Sequence, residues 1–371
     1  MKILAVFPPY KRIPSDSYGG IEKVALERAE VLKSLGFKVE VVVPEGSKVN
    51  FADKIYFIKL LPIDYRAEMS NENILKRAIS YLKFLKRTKA FSYNKVYRRI
   101  SEEIDLDEYD LIINDAFRQE IWNIYAFSKI FPIRKTFQML HSGLPFIVRL
   151  PIRMIPKGII FGALNSDIYH ILKEKGLRAF NLPNGIHIPK DRKPEEPDDY
   201  LIFIGRISYW KGPHLAVEIS RKLKKKLILI GPIHEEQYFI NYIKPYIDNE
   251  NVKYLGHVSE QEKEEVLKKA IALIFTSIFP DNYPTVLLEA LSWGVPVLAL
   301  EPPRPSGFYD ICNSSVCISD KNIDRLTSKW NDILSIDRKS VLEYAINNLS
   351  WQSVILRKWM PAIESVLHDF K

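Results

Sequence analysis

Cysteine is scarce in this chain: only Cys312 and Cys317 occur among 371 residues. Two thiols in one short segment argue against a disulfide framework and against a zinc site, so a reducing cytoplasm is the expected compartment. Long apolar runs are missing too. No stretch reaches the ~18 residues that a membrane span needs, and the apolar run at residues 3–7 is too short for a signal peptide. The first strand–helix turn lacks a full G-x-G-x-x-G, which weakens a dinucleotide reading. A net charge of +9 favours anionic partners, either phosphorylated substrates or an anionic membrane surface. No nucleic-acid reader motif accompanies that charge, so nucleic acid is not expected.

What is present is an ordinary globular composition, 47% hydrophobic and 27% charged. The length suggests two domains, since single cores rarely grow past ~250–300 residues. The chain opens as strand (MKILAVF), loop, helix (IEKVALERAEVLKSLG) and strand (FKVEVVVPEG), with Gly19 and Gly20 just before the helix. Paired glycines there let backbone N–H groups approach a phosphate or sugar closely. Residues 73–99 carry basic and aromatic side chains and no acid, with apolar positions at helical spacing. Such a helix suits either an anionic membrane surface, reached peripherally, or a core with a solvated basic face. His141 ends a strand-like run, and Asn114 and Asp115 end the one before it. The polar, proline-bearing stretch 189–199 reads as an interdomain linker.

The second half restarts the same alternation. LIFIGRISYWKG is strand then loop, residues 213–222 form a helix, and LILIGP and VKYLGHV are strands. Ser259 and Glu262 have the spacing of a capping box. Arg206 and Lys211, in the loop after a strand, offer a planar fork and a point charge to a diphosphate. No D-x-D-like carboxylate cluster lies beside them, so no obligatory divalent metal is expected. Residues 271–300 then supply strand, loop, helix and strand. Pro284 suits the helix's first turn and Gly294 its end. Asp281, Asn282 and Tyr283 therefore lie at the carboxyl edge of a strand beside a helix N-terminus, where open α/β sheets bind ligands and anions are favoured. Thr285 and Glu289, one turn apart, share a face from which a carboxylate can take a hydroxyl pair such as that of a ribose.

Asp281 and Glu289, eight positions apart in DNYPTVLLEALSWGVPVLA, resemble the E-x7-E signature of the retaining GT4 glycosyltransferases of the GT-B fold. Gly205-Arg206…Lys211-Gly212 resembles that family's G-R…K-G pattern, and the likeness runs from PPYKRIPSDSYGGIEKV to SWQSVILRKWM. The resemblance implies an α/β chain of two Rossmann-like, doubly wound parallel-sheet domains facing a central cleft. Residues 1–190 would bind the acceptor and 191–350 the nucleotide sugar, while a helix over 351–371 rejoins the first domain. It implies metal-independent, retaining transfer of a hexosyl group from a UDP- or GDP-sugar to an acceptor hydroxyl, with no further cofactor. Arg206 and Lys211 would hold the diphosphate, Glu289 the ribose, and Asp281 and His141 the donor sugar. Gly19, Gly20, Gly205, Gly231, Tyr254, Leu255, Tyr283, Pro284 and Thr285 would complete the donor pocket. Asp281 replaces the family's usual Glu, His187 replaces an acid after Asn184-Gly185-Ile186, and Tyr309-Asp310 stands where Pro-Glu usually follows a glycine-rich loop. These departures keep two alternatives open: a nucleotide-sugar-binding protein impaired in catalysis, and an epimerase. An oxidoreductase fits least.

Overall fold

The computed structural model describes residues 1–9, 11–13, 20–59, 92–116, 127–141 and 150–369. Among these, strand and helix alternate to build two parallel sheets. The first has seven strands in the order β3-β2-β1-β4-β5-β6-β7. They are β1 Lys2–Val6, β2 Lys38–Pro44, β3 Lys54–Ile58, β4 Leu111–Asn114, β5 Thr136–Leu140, β6 Ile160–Ala163 and β7 Arg178–Asn181. The second has six in the order β10-β9-β8-β11-β12-β13. They are β8 Tyr200–Ile204, β9 Lys226–Ile230, β10 Val252–Gly256, β11 Ala272–Phe275, β12 Val297–Leu300 and β13 Cys317–Asp320. Strand order reverses between β1 and β4 and again between β8 and β11. Those reversals open the crevices in which doubly wound sheets take ligands.

The two-residue period of a strand sorts each apolar run onto two faces. Ile3 and Ala5 face the helix Gly20–Ser34 and its buried Val24, Ala25, Ala29 and Leu32. Leu4 and Val6 face the opposite layer with Tyr97 and Ile100. In the second sheet Ile202 and Ile204 take one face, and Leu201 and Phe203 the other. β3, which the sequence reading passes over, is a short edge strand whose apolar run is only residues 55–58, with Phe57 exposed. Of the basic stretch at 73–99, residues 73–91 lie outside the described residues. Its described end belongs to the helix Ser92–Glu103, which buries Tyr97 and Ile100 in the core.

The chain crosses between the sheets twice, side by side. The Ile186 N–H donates to the Leu349 carbonyl at 2.9 Å, and the Trp351 N–H donates to the Ile186 carbonyl at 3.1 Å. Gly185 is needed at this crossing, because a Cβ there would press on the Trp351 backbone at 2.7 Å. The closing helical run then packs on the first domain through a π-helical turn, Ile355–Trp359. Trp351 donates its indole N–H to Glu27 at 2.8 Å, and Trp359 donates to the Pro183 carbonyl at 3.1 Å. Both rings are wholly buried. Each removes apolar surface worth on the order of 5 kcal/mol before ordering entropy is counted. No helix of the described residues is long and apolar enough to cross a membrane.

Candidate active site

On the first domain's side, Asp115 follows β4 directly, and its N–H continues the ladder to the Val6 carbonyl at 2.9 Å. Arg28, from the helix after β1, grips the Asp115 carboxylate with both terminal nitrogens, one of them at 3.2 Å. The side chains of both residues have no exposed surface. His141, just past β5, places Nε2 2.7 Å from the same carboxylate. An ionised carboxylate only accepts, so this contact assigns the Nε2 proton and fixes the ring. Burial alone would push the Asp115 carboxyl up, but the Arg28 charge and the His141 hydrogen bond outweigh it and hold it below the usual aspartate value. The Arg28 guanidinium lies 4.8 Å from the Trp359 ring centre, so the closing helix completes this cluster.

On the second domain's side, three glycines end adjacent strands. The Gly205 N–H donates to the Ile230 carbonyl at 2.9 Å, and the Gly231 N–H donates to the Gly256 carbonyl at 2.8 Å. Gly231 has φ +142°, and a Cβ there would fall on the Gly205 carbonyl. Only glycine fits such a position. Tyr254 donates its hydroxyl to the Gly231 carbonyl at 2.8 Å and packs its ring on Phe239, while Leu255 packs against the core. The Tyr254 hydroxyl thereby braces the Gly231 turn. Tyr283 turns away from the loop. Its side chain is a core residue against Gly307, and burial pushes its phenol far above the ordinary range, so only its backbone borders the loop. Pro284 lies one position earlier than read, capping the helix Thr285–Ser292 with φ −73° and ψ 99°.

Lys211 and Asp281 are in direct ion-pair contact, each about a quarter exposed. Arg206 is exposed and, among the described residues, has no ion-pair partner. Gly212, at φ +65° over the Thr276 carbonyl, lets the two loops close on each other, and the Thr276 hydroxyl donates to the Gly212 carbonyl at 2.9 Å. Glu289 is held by Lys263 at 3.0 Å and faces Lys23 of the first domain at 4.0 Å. Lys23 also pairs with Glu260 at 3.0 Å. Burial works to lower both lysines, yet the charges of Glu289 and Glu260 leave both raised. Gly20 opens its helix with free space where a Cβ would stand, and Gly19 lies outside the described residues.

The two sides are tied together by residues the sequence reading missed. The Asn282 side chain donates to the Leu140 carbonyl at 2.6 Å, one residue before His141. Asn165 donates to both Asn282 oxygens at 2.7 Å and caps the helix Ser166–Glu174 by accepting the Ile168 N–H at 2.8 Å. Asp310 receives the Ser166 N–H at 2.6 Å and the Ser166 hydroxyl. Asp167 pairs with Arg304 and accepts the Ser306 N–H at 3.1 Å. Two positions at or beside the departures from the GT4-like pattern, Asn282 next to Asp281 and Asp310, are thus among those that join the two sides. The Asn282–Leu140 bond sets the chain beside Asp281 against the chain beside His141, with Asp115 enclosed behind the imidazole.

Two parallel sheets facing each other across a cleft define the GT-B architecture of glycosyltransferases. The glycosyltransferase of Rickettsia africae superposes with a TM-score of 0.68 at 20% identity, covering 99% of this chain and 98% of that one. The Anabaena protein Alr3699/HepE, in complex with UDP and glucose, superposes with a TM-score of 0.66 at 15% identity over 98% of this chain and 100% of that one. Residues 186–348, which carry the second sheet, match the family of glycosyl transferases group 1. A stretch of 115 residues is 24% identical to the D-rhamnosyltransferase WbpZ of Pseudomonas aeruginosa, spanning 30% of this chain. The alignments with curated relatives span between 29% and 38% of those proteins' own length.

Proposed function

We propose that this protein transfers a hexosyl group from a UDP- or GDP-sugar to an acceptor hydroxyl, retaining anomeric configuration and using no divalent metal. The observation that carries this reading is the Asn282–Leu140 bond. It joins the residue after Asp281 to the residue before His141, which supports a sugar held between the two. Lys211 and Arg206 supply the positive charge that a metal would otherwise bring to the diphosphate. As the bond between the anomeric carbon and the β-phosphate oxygen breaks, both stabilise the growing charge on that oxygen. The acceptor oxygen bonds the anomeric carbon from the same face, and its proton passes to the departing phosphate. Asp281 turns from Lys211 to a sugar hydroxyl when donor enters, and Glu289, fixed by Lys263, takes the ribose. His141, locked by Asp115, presents its other face to the sugar. The names of the proteins matched above point to glucosyl and rhamnosyl donors as the first to try.

Thermal unfolding against UDP-, GDP-, ADP- and dTDP-sugars, with and without EDTA, tests the donor site. One nucleotide class at 100 times its Kd should add about 2.7 kcal/mol. That stabilisation should survive EDTA and vanish in Arg206→Ala and Glu289→Ala. Silence from every nucleotide sugar in a folded protein rejects the proposal. Release of an altered donor without acceptor would point to an epimerase, and binding without hydrolysis or transfer to an inactive binder.

A further inference from the structure

Four large aromatic side chains on the second domain belong to neither of its cores. Tyr209, Trp210, Tyr242 and Phe279 are each about half exposed, at 47%, 51%, 54% and 53%. They are linked ring to ring. Phe279 meets Trp210 edge-on at 5.4 Å, Trp210 meets Tyr209 at 5.6 Å, and Tyr209 stacks on His214 at 5.8 Å. His214 reaches Tyr242 at 6.3 Å, and Tyr238 stacks beneath Tyr242 at 5.4 Å.

The strip is held rigidly. The Trp210 carbonyl accepts the Ile278 N–H at 2.9 Å, the Tyr209 N–H donates to Glu235 at 3.1 Å, and His214 is hydrogen-bonded to the Tyr238 hydroxyl. Its near end abuts the proposed transfer site, since Trp210 adjoins Lys211 and Phe279 lies two residues before Asp281. Exposed apolar surface of this kind, rimmed by polar groups, marks an interaction site.

We infer that this strip is a carbohydrate-binding subsite, which takes the sugar rings of an oligosaccharide acceptor as it leads away from the transfer site. The inference rests on the proposed transferase activity. Pyranose rings offer C–H faces to aromatic rings and a belt of hydroxyls to the Tyr209 and Tyr242 phenols, Glu235 and Asp281. Successive aromatic centres are spaced on the scale of one sugar unit to the next. A lipid surface fits less well: the charged groups along the strip are of both signs, whereas anionic membranes recruit clusters of basic residues.

The test is calorimetric titration of the full chain, loaded with the nucleoside diphosphate that stabilises it, with mannooligosaccharides and maltooligosaccharides of increasing length. Affinity should rise with length in at least one series. It should fall about five- to tenfold in Trp210→Ala and in Phe279→Ala, the scale of one lost ring contact, with Trp210→Tyr recovering most of it. Nucleotide affinity should stay constant in all three variants. Equal oligosaccharide affinity in wild type and variants, no binding in either series, or loss instead of binding to phosphatidylglycerol vesicles overturns the inference. If no nucleotide binds wild type at all, the transferase reading itself has failed.

Discussion

Asp115 and Asp281 occupy related places in the two domains. Each follows the strand at which its sheet reverses, and each pairs with a cation from the segment after the sheet's first strand, Arg28 in one case and Lys211 in the other. The difference lies in solvent. Arg28 and Asp115 are wholly enclosed, with His141 and the Trp359 ring completing the shell. Lys211 and Asp281 keep 27% and 21% of their side-chain surface in water. A buried pair cannot exchange partners without leaving a charge stranded, so the first domain's pair sets geometry. An open pair can, so the second domain's pair is available for chemistry.

The sharpest way to break the comparison is Arg28→Ala, which strands Asp115. It should cost about 3–5 kcal/mol of stability in chemical denaturation. Lys211→Ala should do the opposite, changing stability by no more than about 1 kcal/mol while lowering kcat on the order of 100- to 1000-fold. If Lys211→Ala unfolds the protein, or Arg28→Ala leaves it as stable as before, the contrast is wrong. Asn282→Ala removes one of the bonds between the two sides and leaves the Leu140 carbonyl without its donor, while the Asn165 amide keeps the Asn282 backbone carbonyl, at about 1–3 kcal/mol. Small-angle scattering should then report a longer particle.

Acid sharpens the contrast further. Asp115 titrates below the ordinary aspartate value of about 3.9, so the unfolded chain binds its proton first as pH falls. Its contribution is therefore complete above that value and lost as pH drops through the depressed folded one. Asp115→Asn should flatten the pH dependence of stability in that acid window. The smallest effect belongs to Lys23→Ala, which cuts an exposed link between the domains. About 0.2–1 kcal/mol is expected, shrinking with added salt.

Local features were the readable ones. The alternation of strands and helices came from apolar periodicity, and the Ser259–Glu262 capping box is present with both of its hydrogen bonds. Gly205 and Arg206 follow β8 directly, Lys211 and Asp281 lie in the loops after β8 and β11, and Glu289 lies in the helix after Pro284, positions that the strand and helix signals in the sequence mark locally. Pairs formed by distant segments were not readable. Arg28 and Asp115 are 87 positions apart, and Asn165 and Asn282 are 117 apart, with nothing local to announce either. The inward turn of the Tyr283 ring was not readable either, because it depends on the space left by Gly307, 24 positions away. Trp210 and Phe279 look like ordinary apolar residues until the fold leaves them outside both cores.

The paired crossing at Ile186 and Trp351 has a consequence for how the protein is made. The first domain's fold is finished by Trp351 and Trp359, which leave the ribosome only after the second domain has been synthesised. Its earlier part must therefore wait, with the site for two tryptophans uncovered, until residues 351–359 have been made. A chain stopped after residue 190 should expose that apolar surface, and the segment 350–371 supplied separately should be able to cover it.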